Sequence, residues 1–202
     1  FMGFVGLAFF GFAIAEHWLP VPVQMALAAF ATAIFTIAYG YVMEWASFGF
    51  KRLKPMNSPV LEPDFWSHER HWKLCAPGFV GLFNGTPFKG TAWRLLGAKV
   101  GKMLFDDGAL FTERALTEVG DYVTLSRGVT VQNHTLEEGM FKSGMIRLET
   151  GSTVGVNGYI NYDVTLGAGA SLEPDSFLMK GEQVPPRAVW GGNPARQLRA
   201  SS

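Results

Sequence analysis

The sequence has very little cysteine, and basic side chains are absent from residues 1–50. The single cysteine, Cys75, excludes an intramolecular disulfide and gives no sign of an oxidising compartment. No cysteine cluster is available for zinc, and the four histidines do not recur at the spacing that a histidine-only metal site would need. No basic stripe is interleaved with aromatic residues. The sequence therefore predicts neither a metal site nor a nucleic-acid partner.

Charge is also scarce at the start of the chain, where Glu16 and Glu44 are the only charged side chains of residues 1–50. Two uncharged runs, residues 1–15 and 23–43, are separated by a proline-containing break. The second run is long enough to cross a bilayer of about 30 Å. We predict two transmembrane helices in residues 1–50, and the alternative is a helical hairpin buried in a soluble core. Because neither run has an internal charge, anchoring is favoured over a pore.

All 17 Lys and Arg residues lie from Lys51 onward. Lys51, Arg52 and Lys54 directly follow the second run, and positive residues favour the cytoplasmic side of a membrane. We therefore expect an integral plasma-membrane protein that contacts lipid and whose remaining chain faces the cytoplasm. Because the chain begins abruptly with Phe1 rather than Met, we also expect it to be a piece of a longer polypeptide.

Residues 51–97 are predicted to form a connector with two short helices. An amphipathic helix is expected over Asp64–Leu74, with His68 and His71 on one face. These histidines could contact a substrate or form a polar face at the membrane surface. Gly85–Gly97 predicts a turn and a short helix that would cap the open end of the following domain.

From Leu148 to Arg196, an apolar residue opens every group of six. The fifth position is mostly small, and the second is often Gly, Asn or acidic, which predicts an unusual backbone angle at the second position. A period of six is typical of a parallel β-helix, in which each leading side chain points inward and stacks on its equivalent one coil away. The leading residues are Leu148, Val154, Ile160, Leu166, Leu172, Leu178, Val184 and Trp190.

The repeat is interrupted once, after Val131. Leu148 follows Val131 by one residue less than three hexads, and Thr135–Met145 lacks the pattern, which predicts an extruded loop. Loops that interrupt a repeat often carry function. His134, the only histidine of the repeat region, lies at this break. We assign the β-helix domain to residues 98–202.

Three features together suggest a family: the Asn-His pair that ends at His134, the acidic excursion after it, and the closing run Trp190-Gly-Gly-Asn-Pro-Ala-Arg196. Residues 97–199 resemble the hexapeptide-repeat acyltransferases, and most of all the maltose, galactoside and xenobiotic acetyltransferase branch. The resemblance implies a left-handed crossover and a histidine general base at His134. The expected fold is a transmembrane helical hairpin followed by a left-handed parallel β-helix of hexapeptide repeats.

A wider resemblance covers nearly the whole chain. Its motifs are Gly85-Thr-Pro-Phe, Leu-Leu-Gly-Ala-Lys-Val-Gly101, Gln132-Asn-His134, Glu137-Glu138, Met179-Lys-Gly-Glu182 and Pro185-Pro186. Preceded by two apolar runs, they resemble the C-terminal region of ε-poly-lysine synthetase and related membrane-bound nonribosomal peptide synthetases. In that family an adenylation domain and a carrier domain precede six membrane spans, which connect three tandem acyltransferase-like domains.

This resemblance implies that the chain is one such unit, with two other tandem copies forming an internal pseudo-trimer. Its partners would be the carrier and adenylation domains of the same polypeptide. It would be a condensation domain that joins an aminoacyl thioester, held on the phosphopantetheine arm of the carrier, to the amine of a free amino acid or growing chain. A membrane-anchored O- or N-acetyltransferase that uses acetyl-CoA is one alternative, and a non-catalytic scaffold is another.

Four residues at the break are candidates for the site. His134 could be the general base, since an imidazole with a pKa near 6.5 suits proton removal at neutral pH, or an exposed loop histidine. Asn133 could donate a hydrogen bond to the substrate or an oxyanion, or simply occupy a corner. Glu137 and Glu138 could hold a cationic amine, orient the imidazole, or form a solvated acidic loop. Farther along the repeat, Lys180, Arg187 and Arg196 could meet a phosphate or be surface charges.

Overall fold

The computed structural model describes Gly11, residues 20–74 and residues 78–199. Within these ranges the helices are α1 (Val21–Ala46), α2 (Pro63–Leu74) and α3 (Lys89–Leu95). Two 3-10 segments cover Gly78–Phe83 and Arg114–Leu116.

The strands are short because each one occupies only part of a hexad. They are β1 (Asn57–Pro59), β2 (Lys99–Val100), β3 (Phe105–Asp106), β4 (Leu110–Phe111), β5 (Thr117–Val119), β6 (Thr124–Leu125), β7 (Thr130–Val131), β8 (His134–Glu137), β9 (Met140–Ser143), β10 (Ile146–Leu148), β11 (Thr153–Val154), β12 (Tyr159–Ile160), β13 (Thr165–Leu166), β14 (Ser171–Leu172), β15 (Phe177–Leu178), β16 (Gln183–Val184), β17 (Val189–Gly191) and β18 (Arg196–Arg199).

Three sheets of coil strands form the three sides of a β-helix. Sheet 1 has the order β16-β13-β10-β5-β2, sheet 2 the order β18-β17-β14-β11-β6-β3, and sheet 3 the order β15-β12-β7-β4. Pairing is parallel throughout, except that β18 pairs antiparallel with β17. Leu148 pairs with Leu166 and Val154 with Leu172, so that one coil spans three hexads. The predicted parallel β-helix of hexapeptide repeats is confirmed.

The leading residues of the hexads form the core, as predicted. Val154, Ile160 and Leu166 have no exposed side-chain surface, whereas the last leading residue, Trp190, is only partly buried. Burying a large aliphatic side chain stabilises a fold by about 1.5–3 kcal/mol. A stack of such residues therefore holds the coils together along the axis.

The predicted position of the unusual backbone angle was wrong. Positive φ angles occur at the fourth position of the hexads, for example 56° at Asn157 and 53° at Asp175. The glycine at the second position has a different reason, because the next coil passes directly over it. A Cβ atom on Gly155 would lie 2.5 Å from the backbone nitrogen of Pro174.

Helix α3 covers the first coil, which confirms the short capping helix expected within residues 85–97. The indole of Trp93 stacks on Phe111 with ring centroids 4.4 Å apart, and Leu96 is 1% exposed. Gly97, with a φ of 95°, follows the helix where a left-handed angle is required. The apolar end of the coil is thereby shielded from water.

Helix α1 is long and apolar enough, by length and composition, to cross a membrane. Its most apolar stretch has a mean hydropathy of 1.8, and 6% of that stretch is buried inside the protein. So little burial does not fit the alternative of a core helix. The other predicted span, residues 1–15, lies outside the described residues apart from Gly11, and so does most of the predicted turn.

The interruption of the repeat is a hairpin rather than an irregular loop. Strands β8 and β9 pair antiparallel, and β9 also pairs antiparallel with β1 from the connector. Helix α2 lies against this small sheet, with the rings of Phe65 and Phe141 5.7 Å apart. Beyond the hairpin the coil resumes, since Val131 pairs with Ile160. The connector and the hairpin thus cover one corner of the β-helix, next to His134.

Candidate active site

The candidate site lies at the corner where the chain leaves sheet 3. Residues 112–114 follow β4 and residues 132–134 follow β7, and these two strands are paired neighbours. The two corner segments therefore lie side by side, and we call them together the site corner. This neighbourhood brings the carboxylate of Glu113 to the imidazole of His134.

His134 and Glu113 form a short hydrogen bond. The Nδ1–H group of His134 donates to Oε1 of Glu113 at 2.7 Å, and the Glu113 side chain has no exposed surface. Because a carboxylate only accepts, this contact places the imidazole proton on Nδ1 and leaves Nε2 as the basic nitrogen. An imidazole oriented by a carboxylate is the arrangement that a general base needs.

Three further donors surround the same carboxylate. His68 Nε2 and Trp72 Nε1 donate to Oε1 at 3.0 and 3.1 Å, and the hydroxyl of Thr112 donates to Oε2 at 2.6 Å. Burial by itself raises the pKa of Glu113, but hydrogen bonds from His134 and His68, the electrostatic interaction with His134 and the hydrogen bond from the Thr112 hydroxyl together outweigh it. The net result is a pKa well below the usual range, so that Glu113 stays ionised.

Aromatic rings enclose the imidazole on two sides. Phe141 of the hairpin stacks on His134 with centroids 5.2 Å apart, and Trp72 of α2 meets it edge to face at 5.6 Å. The side chain of His134 keeps 21% of its surface exposed. The imidazole is therefore held rigidly and still accessible.

The side chain of Gln132 is hydrogen-bonded to Nε2, the basic nitrogen of His134. Its amide Nε2 donates to Nε2 of His134 at 3.0 Å and to the backbone carbonyl of the same residue at 3.3 Å. An N–H donor thus already points at the atom that would remove a proton. A substrate amine that displaced this amide would present its N–H group in the same way.

The other predicted residues are placed differently around His134. Asn133 is fully buried, where its amide donates to the carbonyls of Leu116 and Gly144 and its oxygen accepts from Thr117. These bonds join the corner segments to the hairpin, and the side chain does not face solvent.

Glu137 and Glu138 lie farther along the hairpin. Glu137 forms an ion pair with Lys180 at 2.6 Å, which lowers the pKa of its carboxyl group. Glu138 is exposed at the turn with a φ of 52°. The acidic group that orients the imidazole is Glu113 instead.

Of the two alternatives for His68 and His71, a polar face at the membrane surface does not fit their burial, and contact with a substrate stays a prediction. Both belong to α2, as predicted, but they are 1% and 2% exposed and are therefore enclosed by the protein. His68 holds Glu113, and His71 Nδ1 is hydrogen-bonded to the hydroxyl of Ser47 at 2.8 Å. On the same helix, Phe65 is buried and Trp66 is exposed.

Sequence reasoning missed Glu113, Gln132, Trp72 and Phe141. The first left a detectable signal, because Glu113 sits in an irregular stretch about one coil before His134, at the equivalent corner. The aromatic partners left none, since their contact with His134 depends on how α2 and the hairpin fold back. Within the described residues, no group of three or more His, Cys, Asp or Glu side chains could hold a metal ion.

A cleft of about 430 Å³ lies beside the site. Trp72, Phe111 and Arg114 line it together with the buried side chain of Lys89. Lys89 donates to the carbonyl of Val80 at 3.1 Å, and burial lowers the pKa of its ammonium group. The cleft offers space for a substrate next to the Trp72 wall of the site.

Comparison with known proteins gives a relative in sequence and a shared fold. No family model matches the chain. It is 27% identical over 158 residues to the delta-poly-L-ornithine synthetase of Acinetobacter baumannii (strain AB307-0294). The match covers 76% of this chain but 12% of that protein, so the chain spans about an eighth of the length of this relative.

Among solved structures, the maltose O-acetyltransferase of Clostridium difficile 630 aligns with a TM-score of 0.50 at 16% identity, over 76% of this chain and 96% of that protein. A hexapeptide-repeat acetyltransferase of Vibrio cholerae aligns with a TM-score of 0.48 at 23% identity, over 53% and 64% of the two chains. The first of these fits the left-handed β-helix that the motifs implied. The chain is thus acyltransferase-like in fold and similar in sequence to a region of a poly-amino-acid synthetase.

Proposed function

We propose that this chain is the amide-forming domain of a membrane-bound peptide synthetase, in which His134 is the general base. The observation that carries the proposal is the Glu113–His134 pair, which leaves a basic Nε2 atom at an accessible position. The sequence similarity to a delta-poly-L-ornithine synthetase supports a poly-amino-acid product. The substrates would be an aminoacyl thioester on the phosphopantetheine arm of a carrier domain and the amine of a free amino acid or growing chain.

The reaction needs only acid–base help, because the thioester is already activated. An ammonium group first loses a proton to solvent, and the resulting amine takes the place of the Gln132 amide against Nε2 of His134. As its nitrogen attacks the thioester carbonyl, Nε2 removes the second proton. The tetrahedral intermediate then collapses, the C–S bond breaks, and the thiolate leaves with the proton from Nε2. The carboxylate of Glu113 stabilises the imidazolium between these steps.

The setting we propose is a membrane. Helix α1 would span the bilayer, and Lys51, Arg52 and Lys54 after it favour the cytoplasmic side for the β-helix. In the synthetase, two tandem copies would stand beside this one, as an internal pseudo-trimer, and the carrier and adenylation domains would supply the thioester. Glu137 and Glu138, on the hairpin, remain candidates for substrate contact, whereas the fully buried Asn133 would hold the corner segments in place.

The test is His134→Ala in the complete synthetase, with aminoacyl loading of the carrier and amide formation measured separately. We expect normal loading and amide formation reduced by roughly a hundredfold or more. Unchanged amide formation would overturn the proposal and favour a scaffold role for this copy.

A membrane-anchored acetyltransferase that uses acetyl-CoA is the second candidate, favoured by the fold shared with a maltose O-acetyltransferase. The basic residues that could meet the CoA phosphates are partly engaged, since Lys180 pairs with Glu137 at 2.6 Å and Arg196 lies 3.8 Å from Glu182. Saturable binding of acetyl-CoA to the chain would support this candidate. The carrier-dependent proposal predicts weak binding or none.

A further inference from the structure

The apolar helix carries one charged side chain, and that side chain points at the site corner. Glu44 lies in the last turn of α1 and is 8% exposed. Its Oε2 atom accepts a hydrogen bond of 2.8 Å from Nη1 of Arg114, which is 4% exposed. A buried charge is costly unless it is paired, so each of these side chains depends on the other.

Arg114 directly follows Glu113, and the two side chains point in opposite directions. Glu113 faces the imidazoles of His134 and His68, whereas Arg114 faces α1. No strand fixes the backbone here, since Glu113 has φ −94° and ψ 89° and precedes a short 3-10 turn. The direction of the Glu113 carboxylate is therefore set by its own hydrogen bonds together with whatever holds the neighbouring backbone.

The two residues that directly follow the helical C-terminus of α1 also contact the helix that supplies His68. Ser47 is hydrogen-bonded to His71, and the ring of Phe48 lies 4.4 Å from the same imidazole. His71 is three residues from His68 on α2, so one end of α1 touches both elements that hold Glu113. Only a cavity of about 20 Å³, room for roughly one water, remains at this junction.

We propose that Glu44 and Arg114 are positioning residues, whose buried ion pair ties the apolar helix to the backbone of Glu113 and thereby holds the His134 imidazole in its working orientation. The inference rests on the proposed role of His134 as the base. Helix α1 is, on this view, part of the site as well as an anchor. Weakening the Glu44–Arg114 ion pair would shift Glu113 and with it the His134 imidazole. A small misplacement of a catalytic group is enough to lower the rate of the reaction.

The test is Glu44→Gln in the complete synthetase, with Glu118→Gln as the matched control. Glu118 also loses an ion pair on substitution, with Lys99 and Arg147, but on the outer face of sheet 1. For Glu44→Gln we expect kcat for amide formation to fall about tenfold, with KM for the thioester unchanged and the pH profile of kcat displaced. The control should retain all three values, and Glu44→Asp should recover part of the rate.

A second readout does not depend on activity. In the full chain held in lipid nanodiscs, the ¹⁵N shifts of His134 should report a proton fixed on Nδ1, and Glu44→Gln should average the two nitrogens. A lower Tm with unchanged kcat, pH profile and ¹⁵N shifts would overturn the inference and leave a purely structural ion pair. If Glu44→Gln does not fold, Glu44→Asp decides by the same criteria.

The two proposals fail in different ways. Normal amide formation by His134→Ala removes the proposed function, whereas the ¹⁵N shifts still report whether Glu44 controls the imidazole. A strong effect of His134→Ala with none from Glu44→Gln removes only the inference about the helix.

Discussion

Two regions of the molecule are held together by different interactions. From Leu148 to Trp190 the coils are joined by backbone hydrogen bonds between parallel neighbours and by a stack of buried aliphatic residues. At the site corner, side chains far apart in sequence hold one another, as Glu113 does with His68 and Asn133 with Thr117. Local rules of the repeat build the scaffold, and the candidate site lies where those rules are interrupted.

The largest expected effect breaks the site corner without touching the coils. Glu113→Gln leaves a neutral amide against Nδ1 of His134, so the imidazolium formed during proton transfer loses its anionic partner. We expect kcat for amide formation to fall about a thousandfold with the carrier still loaded. Steady-state kinetics with Glu149→Gln, a change on the exposed coil surface, as control would check this, and a fall of less than tenfold would contradict it.

The converse change weakens the packing of the coil core and leaves the residues of the site corner unchanged. Leu166→Ala removes a leading residue with no exposed surface and leaves a cavity in the stack. We expect the free energy of unfolding to fall by about 2–5 kcal/mol, with kcat of the folded fraction unchanged. Chemical denaturation measures the first quantity, and Leu136→Ala, at a position 59% exposed, should cost far less. A loss of kcat in the folded fraction of Leu166→Ala would contradict the prediction that the coil core affects stability and not catalysis.

The pH dependence of stability should come from the junction beside the site. Burial, the charge of Arg114 and the charge of His68 lower the pKa of His71 to about 3, from an ordinary value of 6.5. The unfolded chain therefore binds the extra proton first. Stability is fully present above pH 6.5 and is lost as the pH falls toward about 3, by at most about 1.4 kcal/mol per pH unit.

The measurement is Tm as a function of pH for the chain and for His71→Gln, which cannot titrate. We expect the variant to have a lower Tm at neutral pH and a flatter acid limb. An equally steep limb in both proteins would assign the acid sensitivity to another group, such as Glu113.

The smallest expected effect concerns the corners of the coils. Tyr122 has a φ of 56°, which costs a bulky residue about 1–2 kcal/mol, and its side chain is 64% exposed. Tyr122→Gly relieves this strain but adds freedom to the unfolded chain, so we expect a gain of about 0.5 kcal/mol. Tyr159→Gly, in the middle of sheet 3, should destabilise. Thermal unfolding of both variants checks the sign, and destabilisation by Tyr122→Gly would contradict it.

The β-helix could be predicted from the sequence because the apolar residue that opens each hexad marks the side chain that points inward. Leu148, Val154 and Ile160 could be placed inward from the period alone, and the break after Val131 located the hairpin. The backbone angles were assigned to the wrong hexad position because a glycine required by close approach, such as Gly155, looks the same in sequence as one required by a left-handed angle.

The residues that contact His134 could not be predicted from the sequence, for a different reason. Trp72 and Phe141 reach the imidazole only because α2 and the hairpin fold over the corner, which no local pattern encodes. Likewise, the sequence shows Glu44 as one of two charged side chains in residues 1–50, but it does not show that Arg114 is the partner of Glu44. Pairings between distant segments are set by packing of the whole chain.

The pairing of β1 with β9 has a consequence for the order in which the protein is made. Strand β1 (Asn57–Pro59) leaves the ribosome long before Met140–Ser143, with which it pairs. Helix α1 and the connector are therefore synthesised first and must wait for the hairpin, and Phe141 follows the strands of the first two coils, β2–β4 and β5–β7. A nascent chain that stops before the hairpin has its apolar helix but lacks Phe141, so the surroundings of the His134 imidazole are completed only after the segment that would enter the membrane.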